Sequence, residues 1–91
     1  FAYCRRIEKL ELGEGVEVIG NAAFYETLSL TEVILPSTLK RIQLQSFERT
    51  QRLTNITFPE GLGSIAYSSF LYTPEATSKK AHELYKQIGD N

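Results

Sequence analysis

Residues 24 to 46, FYETLSLTEVILPSTLKRIQLQS, are the template from which most of the chain is copied. Phe24, Thr27, Leu30, Thr31, Pro36, Leu39, Ile42 and Ser46 all recur unchanged 23 residues later. Working outward, phenylalanine marks the same place at Phe1, Phe24, Phe47 and Phe70. The other apolar residues keep that register as columns: Ile7, Leu30, Leu53; Leu10, Val33, Ile56; Leu12, Leu35, Phe58; Val16, Leu39, Leu62; and Ile19, Ile42, Ile65. Gly13, Pro36 and Pro59 close the same corner. One such column could arise by chance; agreement among all of them marks an internal repeat.

Each unit carries the signals of short extended segments. Leu10-Glu11-Leu12, Val33-Ile34-Leu35 and Ile56-Thr57-Phe58 place an outward residue between two apolar ones, as a strand does. Glycine or proline then ends the segment, and a proline there stops continued pairing. A second extended piece follows, VEVIG, LKRIQ or LGSIA. The unit closes on AAFYET, QSFERT or SSFLYT, which suits a helical turn or tight bend. A unit of this size is too thin to bury its own apolar residues. Stacking units at a strand spacing of about 4.8 Å makes one continuous core, with a parallel ladder of short strands along one side.

The pattern breaks after Thr73, where TPEATSKKAHELYKQIGDN replaces a further copy. Ala81, Leu84, Tyr85 and Ile88 fall on one face of a helix, Thr77 or Ser78 is placed to cap it, and Gly89 to end it. Such a helix reads as a lid over the open end of the core, with a recognition helix for a partner as the alternative. Lys79, Lys80 and Lys86 read as its solvated side. The expected organisation is therefore repeat units at 1–23, 24–46 and 47–69 with the start of a fourth at 70, together spanning 1–73, and a capping helix and tail at 74–91.

The period lies in the 20 to 29 residue range of leucine-rich repeats. LTEVILPSTLKRIQLQSFERT, with Leu30, Val33, Leu35, Pro36, Leu39, Ile42 and Phe47 in order, resembles the BspA-like, or treponemal, class of these repeats, and IGNAAF at Ile19 to Phe24 matches as well. The class pattern carries a proline where Gly13 stands, a glycine where Gln43 and Ala66 stand, and a cysteine where Thr27, Thr50 and Thr73 stand. The resemblance covers roughly three quarters of the chain. It implies a leucine-rich repeat solenoid, α/β or mostly β, of about three coils with a parallel strand ladder, closed by a C-terminal amphipathic helix. It also implies a surface-exposed or secreted protein that adheres to other proteins or cells. It supplies no catalytic residue and no fixed ligand motif.

Composition agrees with a folded domain: 42% of residues are hydrophobic and 23% charged, which argues against disorder. A formal charge of −1 gives no broad positive field, so nucleic acid is not an expected partner. No apolar run is long enough to form a transmembrane segment, and no signal segment opens the chain. The chain starts inside a unit and without an initiating Met, which reads as the C-terminal part of a longer array, so the lack of a leader carries no weight for location.

Residues for catalysis or metal binding are scarce. Cys4 is the only cysteine and aligns with the threonine column, so it reads as a buried structural thiol. His82 is the only histidine and Asp90 the only aspartate, which leaves neither a multi-histidine metal site nor a placed triad. Glu8, Glu11, Glu14, Glu17 and Glu32 show no buried pair, and Gly13 with Gly15 is too little for a phosphate loop. No enzyme activity, cofactor or metal is expected.

The candidate partner-binding face is the outward side of the strand ladder: Glu8, Lys9 and Glu11, then Thr31, Glu32 and Ile34, then Thr54, Asn55 and Thr57. Three short strands offer only on the order of 200 Å² of flat face. A standard interface buries about 800 Å² per partner. Either further coils extend the face, or chains form a homo-oligomer through the exposed N-terminal edge. A protein or glycan ligand is expected in the first case, a spacer or assembly role in the second. Tyr3, Tyr25, Tyr67, Tyr72 and Tyr85 suit interfaces, but Glu26 and Arg49 interrupt the column shared by Tyr3 and Tyr72. Asn55-Ile56-Thr57 is a formal glycosylation sequon.

Overall fold

In the computed structural model, residues 6–88 are described. Six short strands pair as two parallel ladders. Strands β1 (Lys9–Glu11), β3 (Glu32–Ile34) and β5 (Asn55–Thr57) form the first, and β2 (Val18–Ile19), β4 (Arg41–Ile42) and β6 (Ser64–Ile65) the second. Both keep the 23-residue step: Leu10 faces Val33 and Val33 faces Ile56, while Ile19 faces Ile42 and Ile42 faces Ile65. The apolar columns face the interior, where Leu30, Val33, Leu39, Ile42, Phe47, Leu53, Ile56 and Ile65 are nearly or fully shielded from solvent. Burying each of the large side chains is worth about 1.5–3 kcal/mol, so stacking supplies what a single unit lacks. The second extended pieces expected from sequence, VEVIG, LKRIQ and LGSIA, pair as this second ladder, in addition to the one along a single side that was expected.

The phenylalanine segments form turns, and the last includes a 3₁₀ helix at Tyr67–Phe70. Phe24, Phe47 and Phe70 stack with centroids 5.2 and 5.0 Å apart. Phe58 meets Phe70 edge-on at 5.4 Å. The threonine column is explained by hydrogen bonding. Thr27, Thr50 and Thr73 each donate a hydroxyl to the carbonyl of the phenylalanine three residues earlier, all at 2.7 Å. Cys4, Tyr3 and Phe1 lie outside the described residues.

Backbone strain also repeats with the period. Ala22 and Gln45 adopt positive φ, as do Glu26, Arg49 and Tyr72. Non-glycine residues rarely adopt this conformation. Here it turns N–H groups along the stack: Ala22 N–H donates to Leu44 O at 2.9 Å, Glu26 N–H to Glu48 O at 3.0 Å, and Arg49 N–H to Leu71 O at 2.8 Å. The bonds between units thus offset a local cost of about 1–3 kcal/mol per residue.

Helix α1 (Glu75–Ile88) packs on β6 and the 3₁₀ helix, with Ala81 buried and Leu84, Tyr85 and Ile88 against the core. Its start corrects the expected cap. Ser78 N–H bonds to Pro74 O at 2.9 Å, so the helix begins ahead of both Thr77 and Ser78. Thr77, inside the first turn and buried, instead donates its hydroxyl to Leu53 O at 2.6 Å. Lys79, Lys80 and Lys86 are exposed, as expected, and Lys80 in addition donates from Nζ to Ile56 O at 2.7 Å. In the first ladder, the next strand's backbone N–H groups bond to such carbonyls. β5 has no following strand, and the Lys80 side chain takes the place of the missing donor at Ile56. Gly89 lies outside the described residues.

Candidate functional site

The first ladder presents two outward rows flanking the inward Leu10–Val33–Ile56 row, in which Val33 and Ile56 are buried and Leu10 is half-buried. Lys9, Glu32 and Asn55 stand in register in one, and Glu11, Ile34 and Thr57 in the other. All are exposed except Glu32, which is half-buried, and Ile34 is an exposed large apolar side chain. Glu8, Thr31 and Thr54 precede the strands and are exposed as well. Their roles differ, however. The Thr31 hydroxyl donates to Glu8 O at 3.0 Å, and Thr54 N–H donates to Thr31 O at 3.1 Å. These bonds tie one unit to the next, so Thr31 serves the stack as well as the surface.

Between β3, β5 and the corners that follow them lies an open groove of about 520 Å³. It takes in Glu32, Ile34, Asn55 and Thr57 from the sequence-derived face. It also takes in Ser37, Phe58, Pro59, Glu60 and Gly61, which sequence reasoning did not place there. The signal for these was the corner column of Gly13, Pro36 and Pro59: a chain that turns sharply after each strand raises its next residues as a wall beside the ladder. Glu14, one unit earlier at the same corner, is anchored to the wall. Ser37 donates its hydroxyl to one carboxylate oxygen at 2.6 Å and its N–H to the other at 3.0 Å. The hydroxyl bond first and the backbone bond second hold the Glu14 carboxyl below its ordinary pKa, so it stays charged.

The model of the BspA type leucine rich repeat region matches in six copies across residues 1–91. The chain belongs to this family. No curated protein and no solved structure matches the chain. BspA type repeats are generally non-enzymatic, often belong to surface or secreted proteins, and suggest a protein-interaction or adhesion module. Among the described residues, no three His, Cys, Asp or Glu side chains gather as a metal site, and no helix is long and apolar enough to cross a membrane.

Among the described residues, the tyrosines of this BspA type chain do not form one stripe. Tyr67 is exposed and sits edge-on to Tyr85 at 5.5 Å, with His82 beside both. Tyr72 lies under the Arg49 guanidinium, 4.9 Å from the ring centroid. Arg49 also bonds to the Tyr25 side chain, the main cause that raises its pKa further. The Glu26–Arg49–Tyr72 column, which interrupts the aromatic column in sequence, is therefore a set of contacts between neighbouring units.

Proposed function

We propose that this chain is part of a non-catalytic interaction or adhesion module, at the cell surface or secreted, whose β1-β3-β5 face meets a protein or glycan partner. The observation that carries this reading is the groove beside Ile34, where an exposed apolar side chain and hydrogen-bonding groups line one concavity. In this reading residues 1–73 are coils of a solenoid, counted as 1–23, 24–46, 47–69 and a start at 70, and 74–91 form the helical lid and tail. Glu8, Lys9, Glu11, Thr31, Glu32, Ile34, Thr54, Asn55 and Thr57 form the recognition face, which further coils would enlarge.

The second reading, a spacer or self-assembly domain joining chains by solenoid edges, draws on the unchanged register from unit to unit. Alanine replacement of Glu32, Ile34 and Asn55 separates the two. Binding to a panel of immobilised extracellular proteins and glycans should be lost while thermal melting is unchanged. Undiminished binding removes this face as the site. Concentration-dependent sedimentation, unaffected by the same changes, favours assembly.

A further inference from the structure

The groove carries a chemical signature that narrows the partner. Two carboxylates, Glu32 from β3 and Glu60 from the corner after β5, line it, and no Lys or Arg does. Glu14 lies outside the lining and braces Ser37, which lines the groove. Between the acids lie Ile34 and Phe58, apolar surface for an aliphatic stem, and Asn55 and Thr57, exposed polar groups able to bond a peptide backbone. Elsewhere the sign reverses. The second ladder carries Lys40 and Arg41, both exposed, around separate shallow depressions.

We propose that the groove between β3, β5 and their corners binds an extended polypeptide segment bearing arginine or lysine. The cationic head meets Glu32 and Glu60, its methylene stem lies along Ile34 and Phe58, and the segment's unpaired backbone groups reach Asn55 and Thr57. Long basic side chains have this divided character, an apolar stem with a charged tip. Complementary charge aligns the partner and speeds its encounter, while the lack of cations in the groove leaves the carboxylates free to receive it. A neutral glycan would use the polar groups but leave the acids without a counterpart. The inference rests on the β1-β3-β5 face being the recognition face and commits it to a charge class.

The test uses the 91-residue chain, isotope-labelled, and three short peptides. One alternates arginine with valine; the others replace arginine by citrulline or by glutamate. The arginine peptide should shift the amide signals of Ile34, Ser37, Asn55 and Gly61. The Glu32→Gln/Glu60→Gln variant, with signal dispersion intact, should bind it about five- to tenfold more weakly. Raising salt from about 20 to about 300 mM should weaken binding to the unaltered chain more than to the variant. Equal binding of the citrulline or glutamate peptide at the same amides would overturn the cationic assignment and leave the face intact. Shifts centred on Arg41 and Leu44, or no shifts with any peptide, would overturn the assignment and count against the face as well.

Discussion

The β1-β3-β5 and β2-β4-β6 ladders are paired by the same 23-residue step, and each turns one apolar row inward, Leu10–Val33–Ile56 in the first and Ile19–Ile42–Ile65 in the second. They differ in what they show to solvent. The first, with three residues per strand, carries two outward rows and the acid-lined groove; the second, with two, exposes only Val18 and Arg41 beside Lys40, and Ser64 at the same position of β6 is buried. Inward positions must fit the unit above and below, so they repeat. Outward positions meet no such demand and diverge, and partner chemistry resides there.

Removing what the ladders share should have the largest effect. Phe47 is fully buried between two stacked rings, and Phe47→Ala should cost about 3–5 kcal/mol in denaturant unfolding. Amide exchange should quicken in both ladders together; protection retained in one alone would show that the core is not common to them. Next comes the helix contact at the end of β5. Thr77→Val leaves Leu53 O without its hydroxyl donor in a buried place, a loss of about 1–3 kcal/mol. Lys80→Met should chiefly speed exchange at β5, leaving β2 unchanged, and equal acceleration in both would contradict the replacement of a strand donor by Lys80.

A smaller change is expected inside the turns. Thr50→Val removes the hydroxyl bond to Phe47 O, but Thr50 N–H still reaches that oxygen at 3.2 Å, so melting analysis should give about 0.5–1.5 kcal/mol. Smallest is the pH response of the groove wall. The folded-state pKa of Glu14 is depressed by Ser37, so its contribution is present above the unfolded-state carboxylate value and is lost as pH falls through the folded value. A carboxyl NMR titration should find Glu14 below the ordinary glutamate value, and Ser37→Ala should raise it.

The apolar columns were legible in the sequence because each must recur at one fixed step to remain buried. Leu30, Val33, Leu39, Ile42 and Phe47 take the interior places their alignment implies. The apolar face of α1 was legible for a similar reason, through the spacing of Ala81, Leu84, Tyr85 and Ile88. The role of Thr77 was not, because a hydroxyl at a helix start looks like a cap, and Lys80, exposed as expected, gave no sign of the carbonyl its Nζ meets until the helix is laid against β5. The left-handed turns at Ala22, Glu26, Gln45 and Arg49 were equally hidden, since no glycine announces them. Half of the groove escaped because its wall, Ser37, Phe58 and Glu60, comes from corners whose height beside the ladder depends on three-dimensional stacking. The outward strand rows followed from alternation alone.

The most direct measurement compares two alanine variants, one on the first ladder and one on or beside the second: Glu32, Ile34 and Asn55 replaced together, and Val18, Arg41 and Leu44 replaced together. All of these positions are exposed except Glu32, which is half-buried, so the exchanges at the exposed positions should each leave stability within about 0.5 kcal/mol. Binding of the arginine peptide and of partners from the extracellular panel should be lost in the first variant and kept in the second. Binding kept by the first, or lost only in the second, would contradict the assignment of recognition to the β1-β3-β5 face.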